Sequence, residues 1–241
     1  SEEKFNLLGS IGNLMKNRAA VGATLVPVAM FLGQYGAQVC TQVVFQSYFK
    51  QAQMSGIMQM IGMLPMVLFI PFAKVLTNKF GKKEASAATA VLSLIACVIM
   101  NIVPMPGNMT GVLIYVGLSF LHGLGMGCAM MMGNAMMADA IDANEWKNGK
   151  REESVTYAIH SFFRKLAQGV GPSLGLVLMV MVGYDEQLGA AQPAAVAANL
   201  RYVMTGLTLA SSILLFVAVK WIYPLDKKTL AQMNKDLGRE V

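Results

Sequence analysis

Mostly apolar stretches long enough to cross a bilayer follow one another along nearly the whole chain, and that property decides what it can fold into. A helix needs about 20 such residues to span the hydrocarbon layer. Within that layer every backbone N–H and C=O must be bonded inside the segment, which favours helices. Six spans follow: Ala20 to Gln46, Ser55 to Asn78, Ala85 to Val103, Gly111 to Ala138, Ser154 to Gly183 and Asn199 to Tyr223. The expected fold class is an all-α membrane protein, a six-transmembrane-helix bundle with no separate soluble domain. Charged residues make up only 13% of the chain, against ~25% in a soluble domain.

The bundle is expected over residues 19–223, between an amphipathic interfacial segment (1–18) and a tail (224–241). Phe5, Leu8, Ile11 and Met15 share one helical face, and Leu230, Met233 and Leu237 share another; for the second segment a disordered tail remains the alternative. Ser1 to Arg18 lacks the apolar core and cleavage site of a signal peptide, and a fragment of a longer chain and a natural chain of this length both stay open.

Lys and Arg separate sharply between the two sides. Lys4, Lys16 and Arg18, then Lys74, Lys79, Lys82 and Lys83, then Lys147, Lys150 and Arg151, and finally Lys220, Lys227, Lys228, Lys235 and Arg239 share one side. Lys50 and Arg201 fall on the other. Short cytoplasmic connections retain positive charge, so both termini are expected in the cytoplasm, with the plasma membrane (a bacterial inner membrane) as the location. Dispersed in this way, the +6 formal charge forms no nucleic-acid groove. Cys40, Cys97 and Cys128 stand singly in apolar stretches, as packing residues do.

Arg164 and Lys165 are the exception, about eleven residues inside the fifth span. A charge near the bilayer centre costs roughly 2.5 to 3.5 kcal/mol even on the lenient insertion scale, so it normally faces a cavity. Tyr157, His160, Ser161, Arg164 and Gln168 lie on one face about 100° wide, with Lys165 at its edge. The first span repeats the pattern with Gln34, Gln38, Thr41 and Gln42, amides and hydroxyls suited to sugar hydroxyls. The alternative is that these amides bond across helices and hold the bundle together. His122 has no polar company and reads as a packing residue. Gly123, Gly127 and Gly133 of the fourth span, and Gly171, Pro172 and Gly175 of the fifth, permit close helix approach and a kink. No Asp or Glu lies in the middle of any span, although cation-coupled transport usually needs one.

The stretch Ala138 to Lys165, ADAIDANEWKNGKREESVTYAIHSFFRK, resembles the glycoside-pentoside-hexuronide:cation symporters of the major facilitator superfamily. The elements Ala138-Asp139, Asp142, Glu145-Trp146-Lys147, Arg151-Glu152-Glu153 and the deep Lys165 occur in the family's order. Asn78-Lys79-Phe80-Gly81-Lys82-Lys83 is similar to the basic turn of the superfamily, and Tyr223 to Lys228 adds to the likeness. The resemblance covers the C-terminal half of a twelve-helix fold. It implies sugar:cation symport by alternating access, with the N-terminal six-helix half, a small sugar and the lipid bilayer as partners and no nucleic acid. It implies no resident cofactor; the co-transported Na+ or H+ is expected mainly in the N-terminal half.

Carried over position by position, the resemblance implicates His160, Ser161, Arg164 and Lys165 in substrate binding, beside Tyr157, Gln34, Gln38, Thr41 and Gln42 from the stripes. Asp139, Asp142, Glu145, Arg151 and Glu153 are expected to form a cytoplasmic gate, with the three acids of the fourth helix facing Arg151. The chain departs from the pattern at Ala143-Asn144 and at His160, where a member of the family carries glutamine. Arg164 stands where a neutral residue is common, and two adjacent cations hint at an anionic sugar such as a uronide. Two other classes stay open: a non-transporting structural or sensory module, and an intramembrane enzyme using Asp139 and Asp142.

Overall fold

The computed structural model describes residues 7–149 and 151–239. Lys4, Phe5, Lys150 and the side chain of Leu8, all used above, lie outside the described part. The described residues form eight α-helices and no strand: α1 (Leu7–Lys16), α2 (Arg18–Ser47), α3 (Met54–Phe80), α4 (Lys82–Ile102), α5 (Met109–Asn148), α6 (Glu153–Met181), α7 (Ala194–Val217) and α8 (Lys227–Asp236). A 3-10 turn (Glu186–Ala191) precedes α7 and a π-helical turn (Ala218–Ile222) extends it.

Each expected span coincides with one of the six long helices. Four of them, α2, α4, α5 and α7 with its π turn, are long and apolar enough to cross a membrane. The polar stripe keeps α6 below that level. Helix α5 runs ten residues past the end of its apolar segment at Ala138, because Asp139 to Asn148 propagates a helix although it is polar. Gly149 stops it in the left-handed region, at φ 66°. At 1.5 Å per residue α5 is about 60 Å long, roughly twice the hydrocarbon thickness, so its last turns project beyond the apolar layer.

Helix α2 packs chiefly against α6, α7 and α5, and α5 also lies against α3 and α4. Absent side chains set the closest approach. A Cβ on Gly175 of α6 would stand 2.3 Å from the Gly36 carbonyl oxygen of α2, and one on Gly171 would stand 3.0 Å from that of Phe31. Where α5 meets α4, a Cβ on Gly125 would stand 2.5 Å from the Ser93 nitrogen; at Gly133 the nearest atom is Val26 Cγ1 at an ordinary 3.7 Å.

The helix ends gather at two poles. At the first, Asn17 donates to the Ala140 carbonyl (3.0 Å), Arg18 to that of Trp221, and Lys227 to that of Asn78 (2.7 Å). At the second, Tyr48 donates to the Met105 carbonyl (2.5 Å) and Lys50 to that of Ala190 (3.2 Å). Arg201 there lies over the Tyr202 ring (4.0 Å) and donates to the Met100 carbonyl in the last turn of α4 (3.3 Å). The separation of basic residues read from the sequence is thus also a separation in space.

The flanking helices turn their apolar faces to the bundle. Leu14 of α1 is buried and Ile11 packs beside it, while Met15 is exposed. In α8, Met233 is buried with Leu230 and Leu237 against it, and Trp146 donates to Asp236 (2.9 Å). All three cysteines are free and buried. His122 does have polar company: its Nδ1 lies 2.7 Å from Ser93 Oγ and 3.2 Å from Cys97 Sγ, and Ser93 is 2.8 Å from Ser212 of α7. This small network ties α4, α5 and α7 together, a packing role for His122 of a polar kind.

Candidate functional site

Along α2, Gln34, Gln38 and Gln42 recur every fourth residue on a strip that stays exposed, and among the described residues none bonds to another helix. Thr41 is different. It is buried, and its hydroxyl donates to the Ala37 carbonyl one turn back (3.0 Å), a local bond that occupies it.

On α6 the stripe divides by depth. His160 is buried, its Nδ1 is 3.3 Å from Thr24 Oγ1 of α2, and its ring meets Tyr157 edge-on. Ser161 and Gln168 are half-buried, and Lys165 is exposed. Arg164 is half-buried and forms no ion pair or hydrogen bond among the described residues, and its Nε is closed off from solvent. Two other buried side-chain atoms share that condition, Glu84 Oε2 and Arg201 Nε. The guanidinium of Arg201 is compensated by its aromatic faces and the Met100 carbonyl; that of Arg164 has neither.

Arg164 and His160 border a cavity of about 110 Å³ between α2, α5 and α6, with Pro27, Met30, Met130 and Asn134 in its wall. That is room for a carboxyl group or several waters. Asn134 escaped the sequence reading because it sits alone between methionines on α5, with no polar periodicity around it. Among the described residues no acidic side chain lines this cavity. A larger one, about 370 Å³, lies at the basic pole. The smaller is the better candidate for substrate because it holds an unsatisfied buried donor and is walled by α2, the helix that carries the exposed glutamines.

The acids and bases at the basic pole also meet, in a different pairing from the expected one. Arg151 bonds Asp142 (2.5 Å), Glu145 (3.0 Å) and Glu153 (3.2 Å), whereas Asp139 pairs with Lys82 at the start of α4 (2.6 Å). Arg239, beyond α8, adds bonds to Asp142 and Glu145, both 2.8 Å. Asp139 and Asp142 are therefore committed to separate cations and form no carboxylate dyad.

The guanidinium groups of Arg239 and Arg151 hold the Glu145 carboxyl below the usual carboxylate range, and the same contacts raise Arg151. A carboxyl depressed in the folded state stabilises above its unfolded pKa of about 4.3 and loses that contribution as pH falls through its folded value. The Glu145 contacts of the clasp are thus present at neutral pH and are lost in acid, as pH falls through a value below that of a free carboxylate. Amide hydrogen exchange in α8, corrected for its intrinsic rate, is expected to quicken there. Unchanged protection would mean that the apolar face of α8 and the Trp146–Asp236 bond hold the helix without the clasp.

Among known proteins, the chain is 25% identical over 241 residues to an uncharacterized symporter of Bacillus subtilis, covering 99% of this chain and 50% of that one. It is 24% identical over 251 residues to the isoprimeverose transporter of Lactiplantibacillus pentosus, covering 100% and 49%. To a putative sulfoquinovose importer of Escherichia coli it is 26% identical over 222 residues, covering 84% and 44%. The chain spans about half the length of these relatives, which are transporters and not enzymes. Its residues 1–227 match the MFS/sugar transport protein description, and with its stacked apolar helices and polar α2–α6 face the chain belongs to that family.

Proposed function

We propose that the chain is the C-terminal six-helix half of a sugar:cation symporter, moving its substrate by alternating access between two bundles. The observation that carries the reading is the unsatisfied buried N–H of Arg164 in a cavity beside His160, walled in part by α2, the helix whose exposed side carries Gln34, Gln38 and Gln42. In this reading His160, Ser161, Tyr157 and the glutamines bond sugar hydroxyls, and Thr41 shapes the α2 face behind them. Lys165, exposed on the neighbouring face of α6, meets a carboxylate of the N-terminal half or the substrate itself. The Na+ or H+ site belongs mainly to that other half, since no acid lines the α2–α6 cavity.

The same reading places six membrane crossings in a bacterial inner membrane with both termini cytoplasmic, supported by the basic pole. Asp139 with Lys82, and Asp142, Glu145 and Glu153 with Arg151, then work the cytoplasmic gate. Exposed pairs of this kind contribute only about 0 to 1 kcal/mol each, weak enough to be remade as the halves rock.

The test is uptake and counterflow in proteoliposomes holding the chain together with its N-terminal half. A guanidinium fork recognises a carboxylate in a way that a neutral hydroxyl does not, so a hexuronate is expected to compete better than the matching neutral hexose. Arg164→Gln is expected to weaken the hexuronate by about 100-fold, the effect of two lost charge-assisted bonds, and the neutral sugar little. Failure to move or bind any sugar would refute the transporter assignment. A neutral sugar accepted with the uronate refused would remove only the anionic preference.

A further inference from the structure

The cavity of about 370 Å³ at the basic pole lies between the end of α1, the start of α2 and the projecting end of α5. Three cations line it, Lys16, Arg18 and Lys147, together with the carboxamides of Asn13, Asn144 and Asn148. Glu152 is the single acid in the wall among the described residues. Lys16 and Lys147 form no ion pair among the described residues, because Asp142 and Glu145 close by are already held by Arg151 and Arg239. Arg18 spends one N–H on the Trp221 carbonyl and keeps the rest of its guanidinium. Deeper in, the wall continues past Asn17 to Ala20 and Ile159, so this is a recess and not a flat charged surface.

We propose that this recess binds a phosphate group, presented either by a soluble phosphate ester or by the headgroup of an anionic lipid. Three cations against one acid among the described residues leave a net positive wall, and clustered ammonium and guanidinium donors match the several acceptor oxygens of a tetrahedral phosphate anion. The first turn of α2 borders the recess through Arg18 and Ala19; the Ala19 and Ala20 N–H groups are capped by Asn17 Oδ1, so this turn adds the positive end of its dipole rather than those N–H groups. Occupancy would bridge α1 and α2 to the end of α5, the helix that carries Asp139, Asp142 and Glu145. A phosphate bound there tethers the gate acids to the entry of the first long helix and restrains their movement. The site is separate from the α2–α6 cavity and does not depend on which sugar is carried.

The experiment uses the chain with its N-terminal half, purified in a neutral detergent. One arm titrates glucose 6-phosphate, with glucose and sodium chloride at matched ionic strength as controls. The other compares nanodiscs of phosphatidylcholine alone with nanodiscs containing phosphatidylglycerol. Saturable binding of glucose 6-phosphate identifies a soluble ester. Stabilisation by phosphatidylglycerol without it identifies a lipid headgroup. In either case the Lys16→Gln/Lys147→Gln double variant is expected to weaken the effect by at least about 10-fold, while a Lys235→Gln control on α8 does not. Two results would overturn the site: no saturable response in either arm, or an undiminished response in a double variant whose melting temperature falls. The second would make the two lysines caps on the ends of α1 and α5 and nothing more.

Discussion

Gly175→Val is expected to break the packing of α6 against α2 and to lower the melting temperature of the detergent-purified protein by roughly 10 °C. The first added carbon of any side chain would stand 2.3 Å from the Gly36 carbonyl oxygen and 2.6 Å from Val39 Cγ2. Backbone cannot step aside as a side chain can, so the two helices have to separate along the seam that brings His160 and Arg164 to face α2. Overpacking of an ordinary core costs about 1 to 3 kcal/mol, and contact with backbone belongs at the upper end. A loss of about 3 kcal/mol moves the midpoint of a chain this size by roughly 6 to 12 °C. Gly169→Ala is the control, two turns earlier on the same helix, where an added carbon meets nothing within 4 Å. Its midpoint is expected to stay within about 1 to 2 °C, since a surface change is worth under about 0.5 kcal/mol. Equal midpoints for the two variants would mean that α2 and α6 do not meet at these glycines.

Lys165→Ala is expected to have the opposite profile, abolishing substrate accumulation with no change in insertion or melting temperature. Lys165 is exposed on α6 and forms no ion pair among the described residues, so nothing within the bundle loses a partner when it is truncated. Its cost falls on whatever it meets in the assembled transporter. Removing one member of a desolvated charge pair costs about 3 to 5 kcal/mol, enough to reduce transport by 100-fold or more. Radiolabelled uptake in cells, with surface expression measured in parallel, separates the two effects. Normal uptake would contradict the assignment of Lys165, and lost expression would make it a structural residue.

The helices were legible because lipid imposes a one-dimensional rule. Any run of apolar residues long enough to cross must bond its own backbone, so the six long helices can be located without knowing what they touch. The glutamine strip and the α6 stripe follow from helical periodicity alone. That rule is silent where the chain leaves the apolar layer, and so α5 outran its expected end by ten residues, six of them polar.

Other features depend on residues brought together from far along the chain. Nothing in the order of acids and bases says that Asp139 pairs with Lys82, 57 positions away, while Arg151 keeps Asp142 and Glu145. Helical offset places Thr41 beside the glutamines, but the depth at which α2 packs buries it and closes its hydroxyl onto Ala37. His122 and Asn134 look solitary in sequence and acquire neighbours only from α4, α7 and the α2–α6 cavity.

The amino-acid order alone determined an all-helical membrane chain, the number and placement of its long helices, the division of charge between its ends and two polar faces, since each is set by local backbone bonding and transfer into lipid. Only the tertiary structure decided which cations are matched and which are left over, because charge compensation depends on the packing distance between helices. Arg151 and Arg239 find acids at the basic pole; Arg164, deep against α2, finds none.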